Sequence, residues 1–263
     1  MKLELNGNQL YVATGGKAFD ASLPTVIFLH GSGLDHRCWA QQSRWFAFHG
    51  FSVLAPDFPG HSLSSGKPLE SIEAMADWLW QLCDAVGVQK AMLVGHSQGG
   101  LVAMQAASDQ PQRCTAISLI ATAPAIGVNP ALLELAQTAQ PKAVDAMIEW
   151  GFGDAYRFGQ SSVPGQAPLG IGARIMRANP LAVDLAACQR YDGGEAAAAK
   201  VDAPAQLILA KHDKMTPYKL GATLQTILPN CQSLETVDAG HMLPIEAPEQ
   251  TLALLKHFAL QQL

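Results

Sequence analysis

Five apolar runs recur along the chain, and none of them alternates between apolar and polar residues. The runs are TVIFLH (25–30), SVLAPDF (52–58), KAMLVGHS (90–97), TAISLIATA (115–123) and AQLILAKHD (205–213). A strand with one face in water shows alternation, whereas a strand covered on both faces does not. These runs therefore predict the buried strands of a parallel sheet.

Segments with helical spacing of apolar residues lie between the predicted strands. They cover 36–48, 70–86, 98–109 and 248–260. Strands that alternate with helices predict an α/β fold with a mostly parallel, doubly wound sheet. Near the start, Asn6-Gly7 separates two short alternating runs, and this dipeptide favours a tight antiparallel hairpin.

The stretch 125–200 breaks this rhythm. Two helical patterns, at 130–150 and 180–191, flank a segment rich in Gly, Pro and Ser at 151–170. We predict that 125–200 is a helical lid inserted into a core made of 1–124 and 201–263.

Composition narrows the classes of partner. The 263 residues suffice for one core domain with an insertion, and the net charge of -5 comes without a basic run that would suit nucleic acid or anionic lipid. The longest apolar runs are too short for a membrane span, and no export signal is recognisable. We expect a cytoplasmic protein that acts on a small molecule and does not bind a membrane; its oligomeric state cannot be inferred from the sequence.

Cysteine usage points away from metal and redox sites. The five cysteines are scattered without C-x-x-C spacing or a neighbouring histidine cluster. A zinc site or a disulfide framework needs such spacing. We therefore predict reduced, mostly buried thiols and a protein with no metal and no cofactor.

Polar clusters follow four of the predicted strands. They are HGSG (30–33), GHSQG (95–99), KHD (211–213) and DAGH (238–241). In open α/β sheets, ligands bind at the carboxyl ends of the strands. The four clusters therefore predict one functional site.

Ser97 is the candidate nucleophile because it joins a predicted strand directly to a predicted helix. Gly95 and Gly99 flank it in a G-x-S-x-G pattern, which allows the sharp, strained turn that exposes a nucleophilic serine. A serine hydroxyl needs a general base, and that base needs an orienting acid. Asp213 and His241 follow in the chain order Ser, Asp, His that goes with this turn, so we predict a Ser97–His241–Asp213 triad.

Two backbone amides are candidates for stabilising an oxyanion. The amide of Gln98 opens the helix after the nucleophile, where the helix dipole adds positive charge. The loop HGSG should supply the second amide, and we assign it to Ser32. His30 and His61 are predicted to brace loops without taking part in the chemistry.

With these motifs in family order, the chain resembles the α/β-hydrolase superfamily, in its compact branch with a lid between the sixth and seventh strands. The resemblance rests on HGSG, PDFPGHSLS (56–64), GHSQGG, the aspartate after the seventh strand and the GH after the eighth. Ser62 departs from the pattern, since similar proteins usually carry glycine there. Lids roof the site in similar proteins, so we expect a hydrophobic pocket lined by Gly31, Leu34, Met147, Trp150 and Met242.

Several functions are compatible with these residues. The first is a serine hydrolase that cleaves a small, uncharged carboxylic ester through an acyl-enzyme on Ser97. HGSG also resembles the loop of carbon-carbon bond hydrolases that act on dienoic ring-fission products, and thioester, lactone and amide hydrolysis use the same triad. The alternative from another class is a ligand-binding receptor that retains the triad.

Overall fold

The computed structural model describes residues 1–153 and 168–262. Within these residues eight strands form one sheet in the order β1-β2-β4-β3-β5-β6-β7-β8. The strands are β1 Lys2–Leu5, β2 Asn8–Ala13, β3 Thr25–Leu29, β4 Ser52–Pro56, β5 Ala91–His96, β6 Cys114–Ile120, β7 Ala205–Ala210 and β8 Cys231–Val237. Strands β3 to β8 pair in parallel, while β1 and β2 pair antiparallel with each other and β2 with β4. The predicted α/β class and N-terminal hairpin are confirmed.

Twelve α-helices and two 3-10 helices occur in the described residues. The α-helices are α1 Ala40–Phe48, α2 Ile72–Ala85, α3 Gln98–Asp109, α4 Pro130–Thr138, α5 Gln140–Gly151, α6 Pro168–Met176, α7 Leu181–Arg190, α8 Gly194–Ala198, α9 Tyr218–Ala222, α10 Leu224–Ile227, α11 Leu243–Glu246 and α12 Pro248–Gln262. The 3-10 helices are His36–Trp39 and Pro111–Arg113. No helix in the described part of the chain combines the length and apolarity needed to cross a bilayer.

Strands β3 to β7 are buried along nearly their whole length, which explains why the five apolar runs show no alternation. In β3, Ile27 and Leu29 join one apolar cluster with α2 and α3, whereas Val26 and Phe28 join a second cluster with α1 and α12. Because successive side chains of a strand point to opposite faces and both faces are covered, every position of β3 is buried, and all but Thr25 are apolar. The carboxyl ends of the parallel strands are thereby held rigidly along one edge.

The predicted turn between β1 and β2 forms at Asn6-Gly7. Asn6 has φ 52° and Gly7 φ 74°, and Leu5 pairs with Asn8 across the hairpin. Positive φ at both central residues is the conformation for which this dipeptide is preferred.

In the described residues between β6 and β7 there are five helices, α4 to α8. The single helical pattern predicted at 130–150 is divided into α4 and α5, because Ala139 leaves the helical conformation and Pro141 lies in the first turn of the next helix. Of the predicted Gly-, Pro- and Ser-rich segment 151–170, residues 154–167 lie outside the described residues. The domain boundaries and the action of this segment as a lid stay predictions.

Candidate active site

Ser97 lies at the junction of β5 and α3 in a strained conformation. Its φ is 53° and its ψ -119°, a combination rarely adopted by a residue with a side chain. Its amide donates to the carbonyl of Ile120 (2.9 Å), and the Thr122 hydroxyl donates to the Ser97 carbonyl (2.9 Å). Contacts from the end of β6 thus hold the strained turn on both sides.

Gly95 and Gly99 allow the chain to fold back this sharply. A Cβ on Gly95 would collide with the carbonyl of Gly99, and a Cβ on Gly99 would collide with the carbonyl of Leu29. Both obstacles are backbone atoms, which cannot move aside as a flexible side chain would. The glycines of the sequence pattern are therefore required by close backbone packing.

We predict that Gly95→Ala destabilises the protein by about 2–3 kcal/mol, the cost of overpacking a rigid site. The measurement is the midpoint of urea unfolding at constant slope. Gly127→Ala is the matched control, because nothing lies within 4 Å of a Cβ at Gly127. Equal midpoints for the two variants would show that the turn has room for a side chain.

His241 and Asp213 form a buried hydrogen-bonded pair. The Nδ1 of His241 lies 2.8 Å from Oδ2 of Asp213, and both side chains are at most 2% exposed. The amides of Met215 and Thr216 donate to Oδ1 of Asp213 at 2.8 Å each, and the Thr216 hydroxyl donates to Oδ2 at 2.8 Å. With its Nδ1 proton committed to a carboxylate, the neutral imidazole keeps Nε2 as an acceptor.

The surroundings keep Asp213 ionised. Burial by itself would raise the pKa of Asp213, but the nearby charge of His241 and the hydrogen bonds from His241 and Thr216 outweigh it and lower this pKa below its usual value. An ionised Asp213 orients the imidazole and stabilises it when it gains a proton.

Two buried residues fix the backbone around His241. His96 donates from Nε2 to the carbonyl of His241 (2.9 Å), and burial lowers the pKa of His96 to about 3, so His96 is neutral. Glu246 accepts the amides of Gly153 (2.8 Å) and Gly240 (2.9 Å) through Oε1. Sequence reasoning missed Glu246, because no pattern links it to His241 five positions earlier.

One cavity of about 360 Å³ brings the predicted residues together. Ser97 and His241 both line it, while Asp213 lies behind His241. The other described lining residues are Ser32, Leu34, His96, Ile126, Gly127, Val128, Asn129, Leu132, Met147, Trp150, Leu185, Cys188, Lys214, Met215, Thr216 and Met242. Most are apolar, and Lys214 is the one lysine, arginine, aspartate or glutamate among the described lining residues.

Four of the five predicted pocket residues line this cavity, namely Leu34, Met147, Trp150 and Met242. Gly31 is not in the wall: a Cβ there would face His96 and Ser97, so Gly31 packs behind the cavity and makes room for the strained serine. The stretch 126–129 and Met215 line the cavity without having been predicted.

The loop after β3 forms a tight turn beside Ser97. The amide of Leu34 donates to the carbonyl of Gly31 (3.0 Å), and Gly33 has φ 68°, a conformation that glycine adopts easily. The amides of Ser32 and Gln98 donate to none of the described residues. Both are therefore free to bind an oxygen atom of a ligand.

Neighbouring histidines brace this loop, as predicted. His30 donates from Nδ1 to the Gly31 carbonyl (3.0 Å) and accepts the Phe58 amide at Nε2 (3.4 Å). Ser62 has φ 46°, which explains why glycine suits this position, and its amide donates to Asn179 (2.8 Å).

Asp35, His36 and Asp57 offer potential metal-ligating atoms within 4.8 Å of one another. Hydrogen bonds already occupy these atoms: Arg37 donates to both oxygens of Asp35 (2.9 and 2.6 Å), and His36 Nδ1 donates to Asp57 (2.7 Å). Burial would raise the pKa of Asp35, but the bonds from Arg37 and Asn179 lower it to about 2. The cluster stabilises the loops by the Asp35–Arg37 ion pair and by the hydrogen bond between His36 and Asp57.

A model of the alpha/beta hydrolase family matches residues 26–254. The chain belongs to this family. Its fold also matches the crystal structure of the enol-lactonase from Burkholderia xenovorans LB400 with a TM-score of 0.87 at 23% identity, over 98% of this chain and 99% of that one. This likeness confirms the predicted α/β-hydrolase fold.

This alpha/beta hydrolase matches some of its curated relatives over a short region and others over nearly their whole length. It is 37% identical over 111 residues to the dihydrolipoyllysine-residue acetyltransferase component of an acetoin cleaving system from Cupriavidus necator, over 42% of this chain and 28% of that protein. It is 28% identical to a pimeloyl-[acyl-carrier protein] methyl ester esterase from Chromobacterium violaceum, over 96% of this chain and 99% of that protein. The chain spans about a third of the length of the first two curated relatives it matches, 28% and 31%.

Proposed function

We propose that this alpha/beta hydrolase is a serine hydrolase that cleaves a small, uncharged carboxylic ester. The observation that carries the proposal is the strained Ser97 in the same cavity as His241, whose Nδ1 is bound by buried Asp213. The esterase from Chromobacterium violaceum, similar along nearly its whole length, supports ester hydrolysis.

The reaction follows the usual two steps of acyl transfer. His241 takes the proton of Ser97 through Nε2 while the serine oxygen attacks the ester carbonyl, and the imidazolium then gives that proton to the leaving alcohol. Water, activated by His241 in the same way, releases the acid from the acyl-enzyme. Asp213 holds the imidazole by Nδ1 throughout.

The free amides of Ser32 and Gln98 are the proposed oxyanion donors. Charge develops on the carbonyl oxygen only in the transition state, so donors fixed in advance lower the barrier more than they tighten substrate binding. Gln98 also begins α3, where the helix dipole adds to the attraction.

The cavity wall favours an apolar acyl or alcohol group. Helices α4, α5 and α7 contribute Leu132, Met147 and Leu185 to it, which is the basis for proposing that this segment roofs the site as a lid. Lys214 lines the cavity but is exposed, so the apolar wall provides no buried partner for a charge in the substrate. A buried charge without a partner is costly.

The test is steady-state hydrolysis of p-nitrophenyl esters from acetate to decanoate, with a lactone, a thioester and an anilide of the preferred acyl group in parallel. Repeated turnover, within the roughly 1 to 1000 per second typical of enzymes, is expected for the esters. A single turnover or none, together with tight product binding, would favour a receptor. A higher kcat/KM for the lactone or thioester would reassign the substrate class.

We predict that Leu132→Trp shortens the cavity. The kcat/KM for the longest accepted ester should fall at least about tenfold, because the last methylene groups of its acyl chain no longer fit against the apolar wall. The kcat/KM for the acetate ester should change little. Leu133→Trp is the control on the same helix, since Leu133 is half-buried but does not line the cavity. An equal loss for short and long esters would refute this role of Leu132.

A further inference from the structure

Asp184, on α7 of the proposed lid, lies fully buried against the loop after β3. Its Oδ2 accepts the amide of Gly33 (2.7 Å) and lies 2.9 Å from Nε2 of His61. Its backbone carbonyl accepts Nε2 of Gln98 (3.1 Å). The side chains of Asp184 and His61 are both 0% exposed.

Two of these contacts, to the Gly33 amide and to the Gln98 side chain, lie next to the proposed oxyanion donors. Gly33 follows Ser32 directly, so the carboxylate fixes the peptide next to the Ser32 amide, and Gln98 provides the second amide. The turn with Gly33 at positive φ can exchange with a related turn by rotating its central peptide. That rotation would turn the Ser32 carbonyl toward the carboxylate in place of the Gly33 amide, so like-charged oxygens would meet.

The surroundings of His61 indicate an imidazolium. Its Nε2 faces Asp184, and its Nδ1 lies 3.1 Å from the carbonyl of Pro59, so both ring nitrogens face acceptors. A neutral imidazole can donate from one nitrogen only, whereas an imidazolium donates from both.

The groups around His61 support its charged state. Burial would lower the pKa of His61, but the charge and hydrogen bond of Asp184, with smaller help from Pro59 and Asp57, outweigh it and raise this pKa. His30, whose ring lies 5.1 Å away, is fully buried, and burial together with the His61 charge lowers the pKa of His30, which leaves it neutral.

We propose that Asp184 is a positioning residue for the oxyanion donors, acting as a buried carboxylate paired with the His61 imidazolium. The carboxylate holds the Ser32–Gly33 peptide in place, and the imidazolium keeps that carboxylate oriented. The kinetic consequences rest on the proposed function, whereas the hold on Gly33 does not. The proposed lid thereby contributes to catalysis through Asp184, while other residues of the same segment line the cavity.

The first test measures the Gly33 amide without any substrate. In NMR hydrogen exchange, the wild type should protect this amide, Asp184→Ala should lose the protection, and Asp184→Asn, which keeps an oxygen acceptor without charge, should lose part of it. Asp145→Asn is the matched control, because Asp145 pairs with Arg177 at the surface of the same segment. If the Gly33 amide is as well protected in Asp184→Ala as in the wild type, the proposal is overturned. This outcome does not depend on whether the protein hydrolyses esters.

The second test is kinetic, with rates normalised to the folded fraction. Asp184→Asn and His61→Gln should lower kcat about 10- to 100-fold, the range expected when catalytic groups are displaced by about 1 Å. KM should change little, because an oxyanion contact acts in the transition state. If Asp184→Asn is less stable but has the same kcat per folded molecule as Asp145→Asn, Asp184 has a purely structural role and the proposal is overturned.

The pH profile provides a signature that stability alone does not give. Because the pKa of His61 is raised in the fold, its charge is present at lower pH and is lost as the pH rises through that pKa. The wild-type kcat should therefore decline on the alkaline side, whereas His61→Gln, which cannot titrate, should lack this decline. An identical alkaline limb in both proteins would contradict the role of the imidazolium.

Discussion

Replacement of Ser97 by alanine is expected to lower kcat for p-nitrophenyl ester hydrolysis by a factor of about 10⁶, close to the loss seen when a triad nucleophile is removed from a serine hydrolase. Without the hydroxyl no acyl-enzyme forms, and His241 has no proton to take. The two amides and the cavity remain, so weak binding of the ester should persist. The measurement compares steady-state rates with the uncatalysed rate in the same buffer.

The control for this variant is Ser22→Ala. Ser22 is exposed and, among the described residues, bonds to Asp20 alone in the loop before β3, so its loss should leave kcat unchanged. Appreciable activity in Ser97→Ala, above the background of the uncatalysed reaction, would mean that another group attacks the ester. The strained turn would then need a different explanation.

Asp213→Asn is expected to lower kcat by about 10⁴ while the fold is preserved. The Asn amide nitrogen can donate to Nδ1 of His241, which favours the tautomer with the proton on Nε2. In that tautomer His241 cannot accept the proton of Ser97. The measurement is kcat at saturating ester between about pH 6 and 9, the range in which a histidine side chain commonly acts as a base.

The matched control is Asp238→Asn. Asp238 also pairs with a histidine, since its Oδ1 lies 2.7 Å from Nε2 of His212, but Asp238 is 72% exposed and lies away from the cavity. This variant should keep the wild-type rate. Comparable losses in the two variants would show that carboxylate pairing at the ends of β7 and β8 matters generally, and that Asp213 has no special part.

Asp213 should also make stability depend on pH. Its pKa is lower in the fold than in the unfolded chain, so its ionised form contributes stability above the unfolded pKa, and this contribution is lost as the pH falls through the folded pKa. The wild type should therefore lose more unfolding free energy than Asp213→Asn in mildly to strongly acidic buffer. Unfolding in urea at a series of pH values measures the difference.

The fold followed from local patterns because its central strands, β3 to β7, are buried on both faces. In β3 and β5 every position packs in the core, which is why the corresponding runs lack alternation. The nucleophile was recognisable for a similar reason: the strained turn at Ser97 depends on Gly95 and Gly99, which lie within two residues of it. Such short-range constraints leave a signature in the sequence.

Helix boundaries in the segment 125–200 were harder to predict from the sequence. The pattern at 130–150 predicted one helix, and the apolar spacing does continue through it. The division at Ala139 depends on Pro141, which fits the first turn of α5 but cannot continue α4. Here the ring of one proline ended the first helix although the helical spacing of apolar residues continues.

The sequence by itself determined the α/β class, the N-terminal hairpin and the candidate nucleophile, because each of these depends on residues close together in the chain. Only the tertiary structure decided which distant polar residues meet around the site. Asp184 lies 123 positions from His61 and 151 from Gly33, and Glu246 lies 93 from Gly153. No periodicity connects residues at such separations. Their pairing is imposed by the burial of polar groups that must find partners wherever the folded chain brings them.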